Sequence, residues 1–387
     1  MNMPDEKKLI GLARLMKLAF DGTDLTPLGD ALIQRAKQDP EDAEALMDLS
    51  IVLQLREQSD LAVKIQAQAL TIKTLYHLPA KRNATIRLLA IMAPGDITTN
   101  APLEFLVEDS DISLDMLYVA PGLPLPPELP EHDLLFVAAG ESTGTRPILP
   151  QLIDVMKTWP RPVLNLPENI LKTSREEAPI YLSTIPKLYM PPSFRSGRDQ
   201  AKMDFPVIIR PLDSHAGHGL AKIDNAAAME SYFASRSEEA FYISPFIDYR
   251  NEDGLYRKYR IVLIAGRPYA CHMGISENWM IHYVNAGMFE NEEKRKEEAH
   301  FMRDFDTDFA VRHHTALKGI YDTMGLDYLV IDCGETRNGD LLIFEIDTGA
   351  VIHNMDPVDL FPYKAPQMKR VFSAFRDMLL ETVRAGV

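Results

Sequence analysis

DLLIFEIDTGAVIH, residues 340–353, is apolar enough for a buried strand, yet it carries two carboxylates, Glu345 and Asp347, two positions apart. In a strand, residues i and i+2 share a face, so these acids sit side by side and repel when ionised unless a positive charge lies between them. Either that face meets water or it holds a cation. Just upstream, DYLVIDCGETRNGD (327–340) ends on Asn338-Gly339, the strongest short-range hairpin signal, because a type I′ turn needs positive φ at both central residues. With those two residues as the turn, cross-strand partners have numbers summing to 677. Asp332 then faces Glu345, and Asp347 lies on the same face. Asp327 is a rival to Asp332, but the same register sets it opposite Ala350, near the end of the strand. Three acids in one patch suit a hard cation such as Mg²⁺, which takes oxygen ligands. The other reading is the solvated outer face of an edge hairpin.

The rest of the chain is ordinary for a globular protein: 387 residues, 46% hydrophobic and 25% charged, long enough for two or three domains with real cores. A net charge of −15 repels nucleic acid, so an anionic ligand such as a nucleotide has to be met by a local basic pocket. The longest apolar runs fall far short of the roughly 20 residues of a membrane helix. The start, MNMPDEKKLIGLARLMKLAF, is charged and helix-like and lacks the small-residue cleavage site of a secretory signal. Cys271 and Cys333 form no metal-ligand spacing, and a reducing cytoplasm is the expected compartment.

Residues 1 to about 78 read as helices only, with Pro40, Glu41 and Asp42 marking a helix start. The pair from Ala43 to about Tyr76 resembles a tetratricopeptide repeat, with Leu46, Leu49, Ser50, Leu53, Ala62 and Ala69 at its packing positions. Fewer than three repeats make no self-standing superhelix, so a helical cap and a groove for a peptide or protein partner both stand open. From about Ala84 the period changes. RLLAIMA, DMLYVA, DLLFVAAG and PVLNL are strand-length runs separated by helix-like PLEFLVEDS and LPQLIDVMKTW, which predicts a small parallel α/β domain. After the proline cluster YMPPSFRSGR the pattern is strand hairpins mixed with helices, an α+β layout, up to a last helix near Ala365–Arg384.

Three further stretches carry chemistry. FPVIIRPLDSHAGHGLAKI reads as strand, loop, strand, and Gly217 and Gly219 let backbone N–H groups approach phosphate oxygens closely. Arg210, at the end of the first strand, adds a cation. Taken alone, the loop also fits a plain turn with surface histidines at His215 and His218. FYISPFIDYRNEDGLYRKYRIVLIAG holds two strand-like runs, and in the second Lys258 and Arg260 share a face. A basic strand edge that discourages aggregation is the alternative there. HMGISENWMIHYVNAGM gathers His272, Trp279, His282, Tyr283 and Asn285, a set suited to a pocket wall or, for Trp279 and Tyr283, to core packing.

In this order, over residues 84 to about 385, these pieces resemble the ATP-grasp superfamily. The helical start suggests the branch that joins such repeats to a ligase related to glutathione synthetase and the ribosomal-protein glutamate ligase. The resemblance implies a helical region over 1–78, an α/β pre-ATP-grasp domain over 84–185 and an ATP-grasp domain over 186–387. It implies that Arg175, Arg210, His215, Gly217, His218 and Gly219 bind ATP phosphates. Ile243, Ser244 and Phe246 match the strand that holds adenine through its backbone, and Asp248 a ribose contact. Arg260, with Lys258 beside it, matches the cation that touches the transferred phosphoryl group. The family's Mg²⁺ ligands, an acid followed thirteen residues later by Glu-x-Asn, match Asp332, Glu345 and Asp347.

The chain departs from the pattern at three places. Arg210 replaces a lysine, which keeps the charge and changes the donor geometry. Ser244-Pro245 stands where a glutamate often contacts adenine, and Asp347 replaces an asparagine. No cation or ligand oxygen is lost. The implied activity is ATP-dependent ligation of a carboxylate to an amine through an acyl phosphate, with ATP and Mg²⁺ as cofactors, small-molecule or peptide substrates, and neither nucleic acid nor membrane as partner. A kinase that stops at the phosphorylated product, and a non-catalytic nucleotide-binding adaptor using its helical N-terminus, are the alternatives.

Overall fold

The computed structural model describes residues 7–123, 125–198, 204–212, 214 and 217–386. They form a mixed α/β fold with two compact units, residues 1–171 with 348–356 and 368–387, and residues 172–347 with 357–367. Among the described residues no helix is long and apolar enough to cross a membrane.

The first unit opens with helices α1 (Leu12–Phe20), α2 (Thr26–Gln38), α3 (Ala43–Leu55) and α4 (Ser59–Ile72). Asp42 caps α3 by accepting from the Ala45 N–H, the start that Pro40-Glu41-Asp42 predicts. Leu46, Leu49, Ser50, Leu53, Ala62 and Ala69 are all buried. One expectation fails here. Residues 75–78 are not helical but form an edge strand, β1 (Leu75–Leu78), antiparallel to a strand of the next layer.

That layer is β2 (Ile86–Met92), α5 (Leu103–Leu106), β3 (Ile112–Tyr118), β4 (Leu134–Val137), α6 (Leu149–Lys157), β5 (Val163–Leu164) and α7 (Pro167–Ile170). The sheet order is β1-β3-β2-β4-β5, and all but β1 run parallel. Its strands are buried almost without interruption, as befits a parallel sheet covered on both faces.

The helices are pinned to this layer by polar contacts. Gln66 donates to the Gly95 carbonyl at 3.0 Å and accepts from the Gly95 N–H at 2.8 Å, while Gln54 accepts from the Ile97 N–H at 2.8 Å. At the start of α1, buried Asp48 accepts from Ile10 and Gly11 N–H at 2.8 and 3.0 Å, and Glu104 of α5 accepts from the Ala13 N–H at 3.2 Å. Two foreign carboxylates thus satisfy the orphan donors of one helix end. A Cβ at Gly11 (φ +87°) would come within 2.5 Å of Glu104 Oε2, so only glycine admits this carboxylate.

The second unit contains α8 (Ala178–Leu182), β6 (Leu188–Tyr189), β7 (Phe194–Gly197), β8 (Val207–Pro211), β9 (Ala221–Ile223), α9 (Ala226–Ala234), β10 (Ala240–Pro245), β11 (Tyr256–Ile264), β12 (Arg267–Ser276), α10 (Glu292–Asp304), α11 (Phe309–Arg312), α12 (His314–Met324), β13 (Tyr328–Glu335) and β14 (Leu341–Asp347). A final helix, α13 (Lys364–Ala385), runs from it into the segment of the first unit. One sheet, β7-β10-β8-β9, is antiparallel and covered by α9. The other, β12-β11-β13-β14-β6, is antiparallel apart from its short edge strand β6.

The β13–β14 turn differs from the two-residue turn predicted. Thr336 N–H donates to the Asp340 carbonyl, leaving three residues, Arg337, Asn338 and Gly339, in the loop, and of these only Gly339 has positive φ. The turn with two adjacent positive φ values lies instead at Ala265-Gly266, between β11 and β12. Along β13–β14 a one-residue bulge at Phe344 then compensates, so that Asp332 still pairs with Glu345.

Candidate active site

The second unit lays a polar row across its large sheet. His272 on β12 pairs with Arg260 on β11, Arg260 pairs with Asp332 on β13, and Asp332 pairs with Glu345 on β14. Directly opposed residues share a face, so four segments of chain deliver a histidine, an arginine and two acids side by side. A register shift borders the row on each side, between Arg260 and Ile261 and between Asp332 and Cys333. Such bulges re-aim side chains next to sites. Asp347 pairs with Val330 and lies on the face of Glu345.

Cations occupy the acids of this row. Arg260 reaches Asp332 through Nε at 2.7 Å and Nη2 at 2.9 Å, and Lys258 Nζ reaches it at 2.7 Å. Burial by itself raises the Asp332 carboxyl, but the Arg260 and Lys258 charges outweigh it and hold the group far below the usual carboxylate range. Arg175 pairs with Glu345. Burial again opposes ionisation, and Arg175 with Arg210 holds Glu345 below its ordinary value. Arg210 itself is pulled down to about 10, chiefly by burial and then by Arg175. Arg175, Arg210, Lys258 and Arg260 therefore gather round Asp332 and Glu345, with Asp347 on the same face.

The glycine loop lies between β8 and β9, as the strand-loop-strand reading requires. Arg210 donates to Ser214 Oγ at 3.0 Å and also to its carbonyl. Gly217 and Gly219 have φ of +73° and +67°, a region that favours glycine. At Gly219 an added Cβ would also fall 2.7 Å from Pro211. Tyr232 fixes the loop by donating to the Gly219 carbonyl at 2.6 Å. His218 is exposed, and His215 lies outside the described residues.

Ile243 is buried in β10 between β7 and β8. The β7 partner stops at Phe194 opposite Ile243, so from Ser244 onward that side of the backbone has no strand partner among the described residues. Phe246 donates its N–H to Pro206 at 3.0 Å, and its ring lies between Trp279 and the Lys222 ammonium. Asp248 is bound by Arg250 and Arg337, and hydrogen bonding from Arg250 takes its carboxyl down to about 2.

Beside Tyr283 and His272 the structure sets three residues that have no counterpart in the sequence reading, Glu298, Tyr363 and Lys364. Glu298 of α10 is fully buried and accepts from Tyr283 and Tyr363 hydroxyls at 2.7 and 2.6 Å and from the Met273 N–H at 2.9 Å. Buried Lys364 lies 3.6 Å from it and 3.7 Å above the Tyr283 ring, which in turn faces His272. Burial, together with Arg260 and Lys364, keeps His272 well below its ordinary pKa, hence neutral at pH 7. The available signal was spacing: Glu298 precedes Phe301, Met302 and Phe305 by three, four and seven residues, a carboxylate on the apolar stripe of a charged helix.

The carboxylates of Asp332, Glu345 and Asp347 are hard oxygen donors of the kind Mg²⁺ takes, and they share one face. Among the described residues no three His, Cys, Asp or Glu side chains converge as a ready metal cage. Cations, not one another, are the partners of Asp332 and Glu345.

No family model matches the chain, and no curated protein matches it. Solved structures similar to it include the VanG D-Ala:D-Ser ligase of Enterococcus faecalis, 13% identical over 78% of this chain and 100% of that one, with a TM-score of 0.47. The D-alanine–D-alanine ligase of Bacillus anthracis complexed with ATP is 10% identical over 78% of this chain and 99% of its own, TM-score 0.47. A RimK domain protein ATP-grasp of Sphaerobacter thermophilus is 18% identical over 76% and 99%, TM-score 0.42.

Proposed function

We propose that this chain is an ATP-dependent carboxylate–amine ligase. The observation that carries the reading is the in-register pair of acids Asp332 and Glu345, with Asp347 on their face and four cations about the pair, in a chain of net charge −15. A polyphosphate bound with a divalent cation is the ligand that answers both sets: its oxygens take the cations, and its metal takes the acids. The ATP-grasp resemblance of the sequence supplies the rest of the assignment. Arg175, Arg210 and the loop from His215 to Gly219 hold the phosphates, the free edge from Ser244 to Phe246 borders adenine, and Asp248 turns from its arginines toward ribose. Lys258 and Arg260 face the transferred phosphoryl group. Asp332, Glu345 and Asp347 would hold Mg²⁺, which offsets phosphate charge when bound.

The reaction then needs positioning more than proton transfer. A substrate carboxylate oxygen forms a bond to the terminal phosphorus, and the bond to the bridging oxygen breaks, releasing ADP. An ionised carboxylate requires no general base. The amine nitrogen next bonds to the acyl carbon, phosphate leaves, and the nitrogen sheds one proton. Helices α1–α4 read best as a cap on the first sheet, because Glu104, Gln54 and Gln66 tie them to its layer. Use of ATP fits a cytoplasmic setting.

The test is turnover of the full chain with Mg·ATP and a panel of amino acids and short peptides, with hydroxylamine added to intercept an acyl phosphate. ADP together with a hydroxamate is expected. ADP with a stable phosphorylated product would assign a kinase instead, ATP binding without turnover an adaptor, and absence of ATP binding would overturn the reading.

A further inference from the structure

The loop after β12 carries a group with no task in the reaction above. His282 Nε2 is enclosed and has no hydrogen-bond partner among the described residues. Buried polar atoms are as a rule paired, so an unpaired one asks what completes it. A Cβ built on Gly217 would stand 2.3 Å from this nitrogen, so the ring lies against the glycine loop at a residue whose φ of +73° already favours glycine. The charges that act on the ring are Lys258, Asp332, Arg260 and Arg210. His282 thus lies against the glycine loop, within electrostatic reach of Lys258 and Arg260.

The ring is held there from both sides in sequence. Ile281 packs on β12 where a Cβ at Gly274 would come within 2.7 Å of it, and Tyr249 donates to the Trp279 carbonyl at 2.5 Å. The His282 N–H donates to Asn285 Oδ1 at 2.9 Å, and the Asn285 N–H returns to the His282 carbonyl at 2.9 Å. Burial and Lys258 keep the ring below its ordinary pKa, hence neutral. A neutral imidazole places its single N–H on whichever nitrogen meets an acceptor.

We infer that His282 is a ligand-contacting residue whose Nε2–H donates to an oxygen of the terminal phosphoryl group bound between Gly217 and the Lys258–Arg260 pair. The inference rests on the nucleotide reading given above. It separates the terminal phosphate from the inner ones, because Arg210 and the glycines serve the phosphate chain generally while the charge that His282 feels most is Lys258, one of the cations that face its end. ADP, which lacks that group, has nothing to offer the ring.

The test is calorimetric titration of the full chain with Mg·AMP-PNP, a non-transferring ATP analogue, and with Mg·ADP. His282→Leu should bind AMP-PNP about tenfold more weakly, the scale of one hydrogen bond to a charged group, with ADP affinity changed less than about twofold. His282→Gln, which sets an amide N–H near the position of Nε2, should recover AMP-PNP binding to within about threefold of wild type. Wild-type affinity in the Leu variant, equal losses for both nucleotides, or no recovery in the Gln variant overturns the inference. Wild-type protein that binds neither nucleotide overturns the nucleotide reading itself. Should the Leu variant fold poorly, histidine NMR decides: the ring signals absent from His282→Gln should move in wild type on adding AMP-PNP and stay in place on adding ADP, and any other pattern rejects the contact.

Discussion

Asp332→Asn offers the sharpest test of the charge arrangement, because it removes one charge and little volume. The side chain is 6% exposed and accepts two hydrogen bonds from Arg260 and one from Lys258. Asparagine keeps a single acceptor oxygen and turns an NH₂ toward groups that can only donate. Lys258 and Arg260, both largely buried, then lose the carboxylate they share. Breaking a buried pair from one side costs about 3–5 kcal/mol. At about 2–4 °C per kcal/mol for a domain of this class of size, the metal-free, ligand-free variant should melt roughly 10 °C below wild type near pH 7.5. The difference should shrink on acidification, since a carboxylate whose folded pKa is depressed contributes stability above its unfolded pKa and loses it as pH falls from about 4. Scanning calorimetry reads both effects. Pyrophosphate, supplied in place of the lost anion, should restore the midpoint, and should bind the variant more tightly than wild type because Asp332 no longer competes for the cations. A variant that melts within about 2 °C of wild type without ligand would refute the claim that this carboxylate neutralises the pair.

Glu345→Gln should abolish turnover, whereas Asp347→Asn keeps one ligand oxygen and should retain substantial activity with a raised Mg²⁺ requirement; equal losses in both without change in Mg²⁺ dependence would count against metal ligation. Glu104 is raised by burial to about 7, so the folded state binds the extra proton between about pH 4.5 and 7 and stability falls as pH rises through that window. Glu104→Gln keeps an acceptor for the Ala13 N–H and should remove that slope, gaining up to roughly 3 kcal/mol at pH 8 and little at pH 4; parallel melting curves at the two pH values would reject the assignment. Deleting residues 1–78 should yield aggregated protein, because the cut removes β1 with its buried Tyr76 and bares the sheet under α3 and α4; a soluble, monomeric remainder by gel filtration would contradict the cap.

The acidic hairpin was legible in sequence, and for partly mistaken reasons. Spacing alone gave Asp332 opposite Glu345, but through a two-residue turn that does not form. The true turn has three residues, which moves the pairing by one, and the bulge at Phe344 moves it back. That bulge also answers why a greasy strand carries acids at alternate positions. Phe344 and Glu345 fall on the same side, with Phe344 covering Gly334, so Leu341 and Ile343 lie on the opposite face from Glu345 and Asp347 despite their shared parity. No local pattern announces a bulge. The helix-to-strand change near residue 84 was readable because periodicity is local, and Leu75–Leu78 was missed because a four-residue run after a helix carries too few turns to reveal its period. The place of His272 in the row depends on strand order, and Lys364 beside Glu298 depends on packing between distant segments, neither of which a single sequence displays.

The pairing of Arg175 with Glu345 spans 170 residues, and that of Arg260 with Asp332 spans 72. On the ribosome, at about 5–20 residues per second, Arg175 waits on the order of ten to thirty seconds before its partner has been made. Until Asp332 and then Glu345 follow, the nascent second unit holds its cations without the acids that will neutralise them, and the strands that bear them lack the neighbours that complete their sheet. The site therefore waits for β14, and a product released before β14 has emerged would carry Arg175, Arg210, Lys258 and Arg260 with Asp332 but without Glu345 and Asp347.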